Sequence, residues 1–195
     1  KVDNLKEYVI RFLQRKLKYK DFNVLNDVSF NIYRGESVAI VGRNGAGKST
    51  LLRIVAGIIP PTKGNVSIKG TMVPMLNIGA GFDPDASGKE NVFLNGAILG
   101  YTRKEMEDKY DEIVKFAELE EFMEVPIKNY SSGMTARLGF AIAVNSQPDI
   151  VIVDEVLAVG DAKFSAKCRD KMKELQKSGV TFVIVSHSKS SVQML

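Results

Sequence analysis

The stretch GRNGAGKST, Gly42 to Thr50, decides how this chain is read. It matches G-x-x-x-x-G-K-[ST] at every fixed position. A short apolar run, SVAIV, precedes it, and KSTLLRIVAG follows with helical spacing. Glycines let a backbone curl so that successive N–H groups point inward at phosphate oxygens. Lys48 is placed to reach the β- and γ-phosphates of a nucleotide, and the Ser49 hydroxyl to bind Mg²⁺. The helix that follows adds the positive end of its dipole. The expected ATP cradle is therefore Gly42, Arg43, Asn44, Gly45, Ala46, Gly47, Lys48, Ser49 and Thr50. A plain glycine-rich connection is the bland alternative. The complete pattern between a strand and a helix argues against it.

Such a cradle needs an acid on a neighbouring strand. About a hundred residues downstream, IVIVDE supplies one. Ile150 to Val153 form a buried apolar run, and Asp154 stands at its carboxyl end, where α/β sheets bind ligands. Asp154 is a metal candidate together with Ser49, directly or through water. Glu155 points the other way by strand alternation and suits a general base acting on a water that attacks the γ-phosphate. His187 is the single histidine and follows the apolar run VTFVIVS. A lone histidine is more often structural than functional. Its place at the end of a further strand puts it on the same edge as Asp154, within reach of the γ-phosphate. The catalytic set is Glu155, His187 and Lys48.

A second anion-binding turn lies in KNYSSGMTARLGF, Lys128 to Phe140. Ser131, Ser132 and Gly133 sit just before a predicted helix. Roughly eighty residues separate this turn from the first cradle, so one chain cannot bring both to one nucleotide. Two copies placed head to tail about a two-fold axis can. Each would then offer its cradle to one ATP and its Ser-Ser-Gly turn to the other's, in a homodimer.

Around these motifs, strands alternate with helices: an α/β fold with a mainly parallel core sheet. NVLNDVSFNI alternates like a strand, GNVSIKG and TMVPML read as further short strands, and an antiparallel part is expected near the N-terminus. The 195 residues fit one domain with a substantial core, and 45% hydrophobic with 26% charged residues is ordinary for a globular protein. One cysteine, Cys168, excludes an internal disulfide and suits a reducing setting. No apolar run approaches a membrane span, and no signal peptide is visible. The chain starts at Lys1 and stops inside a helical pattern, as expected of a piece trimmed at both ends. Residues 1–20 hold seven Lys or Arg against two acids, while the rest is near neutral. Leu5, Val9, Phe12, Leu13 and Leu17 share one face of this basic amphipathic helix. It is too short to span a bilayer and fits an interfacial position on anionic lipid.

Taken in order, the cradle, the turn Tyr130–Met134, the strand ending in Asp154 and Glu155, the segment AVGD ending at Asp161, and His187 resemble the ATP-binding subunit of ABC transporters. The likeness runs from about Val24 to Leu195. It implies a P-loop NTPase of ABC type over 21–195, with a helical subdomain at about 88–146 that carries the signature turn. Arg137 stands where that family usually has an arginine. The chain departs from the family's L-S-G-G-Q with Tyr130, Ser131, Ser132, Gly133 and Met134. It lacks the usual glutamine in MLNIGAGFDPDASGKEN, where Asn77 is the nearest polar candidate. The family's adenine-stacking aromatic corresponds to Tyr19 or Phe22. IGAGF, YSSGM and DEVLAVGDAKF resemble a narrower branch, the ATPases that export O-antigen, capsule or wall teichoic acid. That branch implies ATP and Mg²⁺, a separate integral membrane subunit with about six spans of roughly 20 apolar residues each, and a lipid-linked glycan. It also implies a peripheral position on the cytoplasmic face of the bacterial inner membrane, and no nucleic acid. The competing reading is a soluble ABC-type ATPase of translation or chromosome maintenance. The chromosome class would need a long coiled coil between cradle and signature, and eighty residues leave no room for it. The translation class joins two such domains through a charged linker. A third reading, a nucleotide switch with little turnover, sits poorly with a poised Glu155.

If Glu155 is the base, Glu155→Gln retains ATP binding and loses hydrolysis by about 100-fold or more. A filter-binding assay beside a phosphate-release assay checks this.

Overall fold

The computed structural model describes residues 22–76, 78–154 and 160–186. The basic N-terminal helix expected over 1–20 lies outside them.

Four strands form one parallel sheet: β1 (Ser37–Val41), β2 (Met72–Met75), β3 (Ile150–Asp154) and β4 (Thr181–Ser186), in the order β1-β4-β3-β2. Every join is a crossover, and the helices supply them: α1 (Lys48–Val55), α2 (Gly88–Ile98), α3 (Arg103–Ala117), α4 (Ser132–Asn145) and α5 (Ala162–Lys177). The central strands read as continuous apolar runs, IVIVD and TFVIVS, because helices cover both faces. Side-chain alternation divides them. Val151, Val153, Phe182 and Ile184 face Phe140 and Val144 of α4 and Phe164, Cys168, Met172 and Leu175 of α5. Ile152, Val183 and Val185 face Leu52 of α1.

A second core lies among α2, α3 and α4. Val92, Met106, Ile113 and Val114 meet Leu138, Ala141 and Ile142 there. Both α2 and α3 start at capping boxes, Ser87 with Glu90 and Thr102 with Glu105. Helix α4 therefore serves two cores, one face on the sheet and the other on its helical neighbours. At Gly139 a Cβ would come within 2.7 Å of the Gly79 nitrogen and 2.8 Å of the Ile78 side chain. Only glycine lets the segment after β2 approach α4 so closely.

The parallel α/β class holds, with one difference. Residues 23–32 and 64–70, which read as strands in the sequence, carry no strand among the described residues. Alternation states which side chains share a face, but a strand also needs a neighbour for its N–H and C=O groups. Here Val24, Val28 and Phe30 are 43–50% exposed, Val66 is 43% and Ile68 38% exposed, and no sheet among the described residues closes over them.

Cys168 is fully buried between sheet and α5, and burial pushes its thiol up to about 12. The folded state then holds the thiol proton across a range in which an unfolded thiol, with a pKa of about 8.5, releases it. Stability is therefore expected to fall as pH rises from about 8.5 towards 12. Cys168→Ala should flatten that alkaline slope in urea titrations. Native protein at pH 8 should resist alkylation by iodoacetamide.

Candidate nucleotide-binding site

The parallel register brings the chemistry to one edge. Val41 pairs with Ser186, and Val185 pairs with Asp154, so β1, β4 and β3 end side by side. The loop Gly42–Gly47 leaves β1 at this edge, and α1 begins at Lys48. Gly45 has φ +80° and Gly47 φ +87°, the left-handed region where a side chain is strained. Gly47 is constrained twice, because a Cβ there would lie 2.9 Å from the Val24 side chain and 3.2 Å from its carbonyl oxygen. The loop closes with a turn from Ala46 N–H to Arg43 O at 3.2 Å. Having no side chain, Gly47 gives α1 no side-chain cap, and Ser49 in the first turn is exposed.

Lys48 is only 8% exposed. Its ammonium curls back over the loop and donates to the carbonyls of Gly42 at 2.7 Å and Arg43 at 3.0 Å. A cation is thus held over a glycine-rich loop, beside a helix N-terminus. That arrangement favours a polyanion.

The Ser-Ser-Gly turn opens α4. Ser131 is the N-cap, and its Oγ accepts from Met134 N–H at 3.2 Å. The N–H groups of Ser132 and Gly133 belong to the first turn and have no partner within the helix. Tyr130 anchors the approach through its hydroxyl, which donates to Phe122 O at 2.7 Å. A groove of about 740 Å³ runs past Ser131–Met134 to Arg137, Gly160 and Asp161.

Arg137, one and a half turns into α4, crosses that groove. Its guanidinium pairs with Asp161, reaches Glu118 at 3.5 Å and stacks over Phe164 at 4.9 Å. Asp161 also caps α5 by accepting from Phe164 N–H at 2.9 Å. That N–H foremost, and then the guanidinium, hold its carboxyl below the usual range. Glu118 is lowered chiefly by Lys167, which donates to it at 2.9 Å and to Phe116 O at 2.9 Å. Nothing in the sequence pattern pointed to Glu118 or to its pairing with Lys167, because the contact joins the end of α3 to α5 across about fifty residues of chain.

The profile of the ABC transporter family matches residues 25–158. This chain belongs to that family. It is 49% identical over 179 residues to the O-antigen export system ATP-binding protein RfbB of Klebsiella pneumoniae, covering 92% of this chain and 73% of that protein. It is 47% identical over 180 residues to the ABC transporter protein AbcA of Aeromonas salmonicida, across 92% of this chain and 58% of the relative. With the teichoic acids export ATP-binding protein TagH of Bacillus anthracis the identity is 44% over 191 residues, across 98% of this chain and 34% of the relative. The chain thus spans from about a third to three quarters of these relatives' lengths. Among solved structures, a post-hydrolysis dimer of the ATP-binding cassette MJ0796 bound to ADP and Pi superposes with TM-score 0.71 at 27% identity, covering 90% of this chain and 87% of that one.

Within the family frame, Gly42–Thr50, Ser131–Gly133, Asp154 and Asp161 all lie in the described structure. Glu155, His187, Asn77 and Tyr19 lie outside it. Phe22 lies inside and is 83% exposed.

Cap and ligand roles at Ser131 are separable by mutation. Ser131→Ala should cost about 1 kcal/mol through the lost cap. Ser131→Asp restores a cap, so its thermal midpoint should exceed that of Ser131→Ala. It also places a negative charge where a phosphate would sit, so its ATPase activity should be lost. Calorimetry and phosphate release on the two variants separate the roles.

Proposed function

We propose that this chain is the ATP-hydrolysing subunit of a transporter that exports a lipid-linked cell-surface glycan. The observation that carries the ATPase part is Lys48, whose ammonium is held over the Gly42–Gly47 loop by two carbonyls. The likeness to O-antigen and teichoic acid export proteins supports the cargo.

In this reading, ATP phosphates displace the Gly42 and Arg43 carbonyls from Lys48, exchanging neutral acceptors for charged ones. Ser49 and Asp154 are the residues that would hold Mg²⁺. Two oxygen donors with room for phosphate and water suit an ion that is seldom caged by protein alone. Among the described residues no cluster of three His, Cys, Asp or Glu exists for a tighter metal. Mg²⁺ supplies charge neutralisation at the phosphates when bound. Glu155 takes a proton from the attacking water as the bond between the γ-phosphorus and the ADP oxygen breaks. His187 donates a hydrogen bond to the γ-phosphate. Ser131, with the Ser132 and Gly133 N–H groups, serves the nucleotide held by the partner copy. Closure of the homodimer over two nucleotides moves residues 88–146 as the helical subdomain and pulls on a separate membrane subunit. The chain itself sits peripherally on the cytoplasmic face, with residues 1–20 at the lipid. No helix of the described residues is long and apolar enough to cross a membrane.

A mixing experiment tests the composite site. Lys48→Ala and Ser131→Arg chains are each expected to be inactive. After verified subunit exchange, the mixture should regain activity from the one heterodimer site that has both Lys48 and Ser131 intact. Mixtures no better than either parent would remove the head-to-tail arrangement.

A further inference from the structure

We propose that Tyr130 is a positioning residue: its hydroxyl, in a seat that Gly88 leaves open, sets how Ser131 meets the partner's phosphate. This deepens the composite-site reading above and rests on it. Gly88 is the first residue of α2 and is buried. Its φ is not positive, so its backbone does not call for glycine. Its neighbour does. A Cβ at position 88 would lie 2.2 Å from the Tyr130 hydroxyl oxygen and 3.2 Å from the ring carbon that bears it. The same hydroxyl donates to Phe122 O at 2.7 Å. The phenol thus lies between the start of α2 and the chain that leads towards α4.

The surroundings of that seat are fixed from both sides. Residues 84–89 and 123–128 are laced by four backbone bonds. Gly88 N–H donates to Val125 O at 3.1 Å and Lys89 N–H to Met123 O at 2.8 Å. In the other direction, Ile127 N–H donates to Ala86 O at 3.0 Å and Lys128 N–H to Pro84 O at 2.9 Å. Fully buried Asn91 pins the first segment, accepting from Asp83 N–H at 2.7 Å and donating to the carbonyls of Asp83, Ala86 and Ser87. The last of the lacing bonds is at Lys128. Tyr130 and Ser131 are both extended, with ψ 147° and 158°, and there the chain turns into α4. The Tyr130 side chain carries the fixed layer across these residues, with its ring on the second core and its hydroxyl reaching back to Phe122. The phenol therefore sets the direction in which Ser131 leaves the layer. The hydroxyl bond is exposed, and water replaces such a bond at little cost to folding. What it supplies is placement, and a misplacement of about 1 Å can cost roughly a hundredfold in rate.

The test is steady-state ATP hydrolysis by the purified chain with Mg²⁺, for wild type, Tyr130→Phe, Gly88→Ala and the double variant. Phenylalanine keeps the ring and removes the hydroxyl, so kcat should fall about tenfold. Alanine at position 88 must drive the hydroxyl away by roughly 1 Å, so kcat should fall about a hundredfold. In the double variant the ring carbon at 3.2 Å becomes the nearest neighbour of the new Cβ, and kcat should return to the Tyr130→Phe level. A second substitution that restores activity marks a contact rather than general damage. Equilibrium binding of ATP should be unchanged throughout, and the unfolding midpoint of Tyr130→Phe should shift by no more than about 4 °C. Wild-type kcat in Tyr130→Phe overturns the proposal. So does a double variant no better than Gly88→Ala, or a fall in kcat that tracks the unfolding midpoint. If Gly88→Ala does not fold, Tyr130→Phe decides alone. The mixing experiment then assigns the effect to the partner's site. Tyr130→Phe added to the Lys48→Ala chain, which supplies the working turn, should lower the regained activity about tenfold. An equal fall when it is added to the Ser131→Arg chain overturns the proposal. If no mixture regains activity, the composite site falls by itself, and kcat of Tyr130→Phe still decides what the hydroxyl does.

Discussion

Everything chemical in this molecule depends on the parallel register of β1, β4 and β3. Strands lie about 4.8 Å apart, so Val41, Ser186 and Asp154 fall in a row about 10 Å wide at the carboxyl edge. The phosphate loop leaves the first strand of that row, and the acid ends the third. A slip of one residue in β3 would turn Asp154 to the other face and put Ile152 in the wrong core. The apolar packing of Ile152, Val183 and Val185 on Leu52 opposes such a slip. Hydrophobic burial on two faces is thus what keeps a carboxylate beside a phosphate cradle.

The two helix starts proposed to bind phosphate are built in different ways. Helix α1 begins at a glycine that has no side chain to offer, so no side chain caps its first turn. Helix α4 begins at Ser131, whose oxygen already accepts from Met134. A hydroxyl has one proton and two lone pairs, so accepting that bond leaves its proton to give. Capping and phosphate donation are therefore compatible at Ser131. At aspartate they are not.

Much of the fold was legible because its signals are local. Strands β1, β3 and β4 follow from the apolar runs SVAIV, IVIVDE and VTFVIVS, and α1 and α4 open directly after the two glycine-bearing turns. The cradle was legible because glycine at Gly45 and Gly47 reports backbone angles that the structure then shows. The strands expected over 23–32 and 64–70 were misleading for the opposite reason: pairing is a property of two segments, and alternation describes one. The Arg137 cluster was only half legible. The arginine itself was noticed through resemblance, but Glu118 reaches it from the end of α3 and is held in turn by Lys167 of α5, and no spacing rule links residues so far apart in sequence.

Helix α4 sets how closure can propagate. Its fourteen residues form a rod about 21 Å long at ~1.5 Å per residue. Phe140 and Val144 lock one face to the sheet, while Leu138, Ala141 and Ile142 lock another to α2 and α3. Close-packed interfaces of this kind do not deform continuously. A shift of the Ser131 turn must therefore move the helical layer with it or slide it over the sheet. The sliding surface is thinnest at Gly139, where the backbone of Gly79 and the Ile78 side chain rest directly on α4. That segment continues from β2 and is held to α2 by Asn95, which donates to Ala80 O at 3.2 Å. A force applied to α2 from outside would thus reach α4 through a contact closer than any side chain at position 139 would allow.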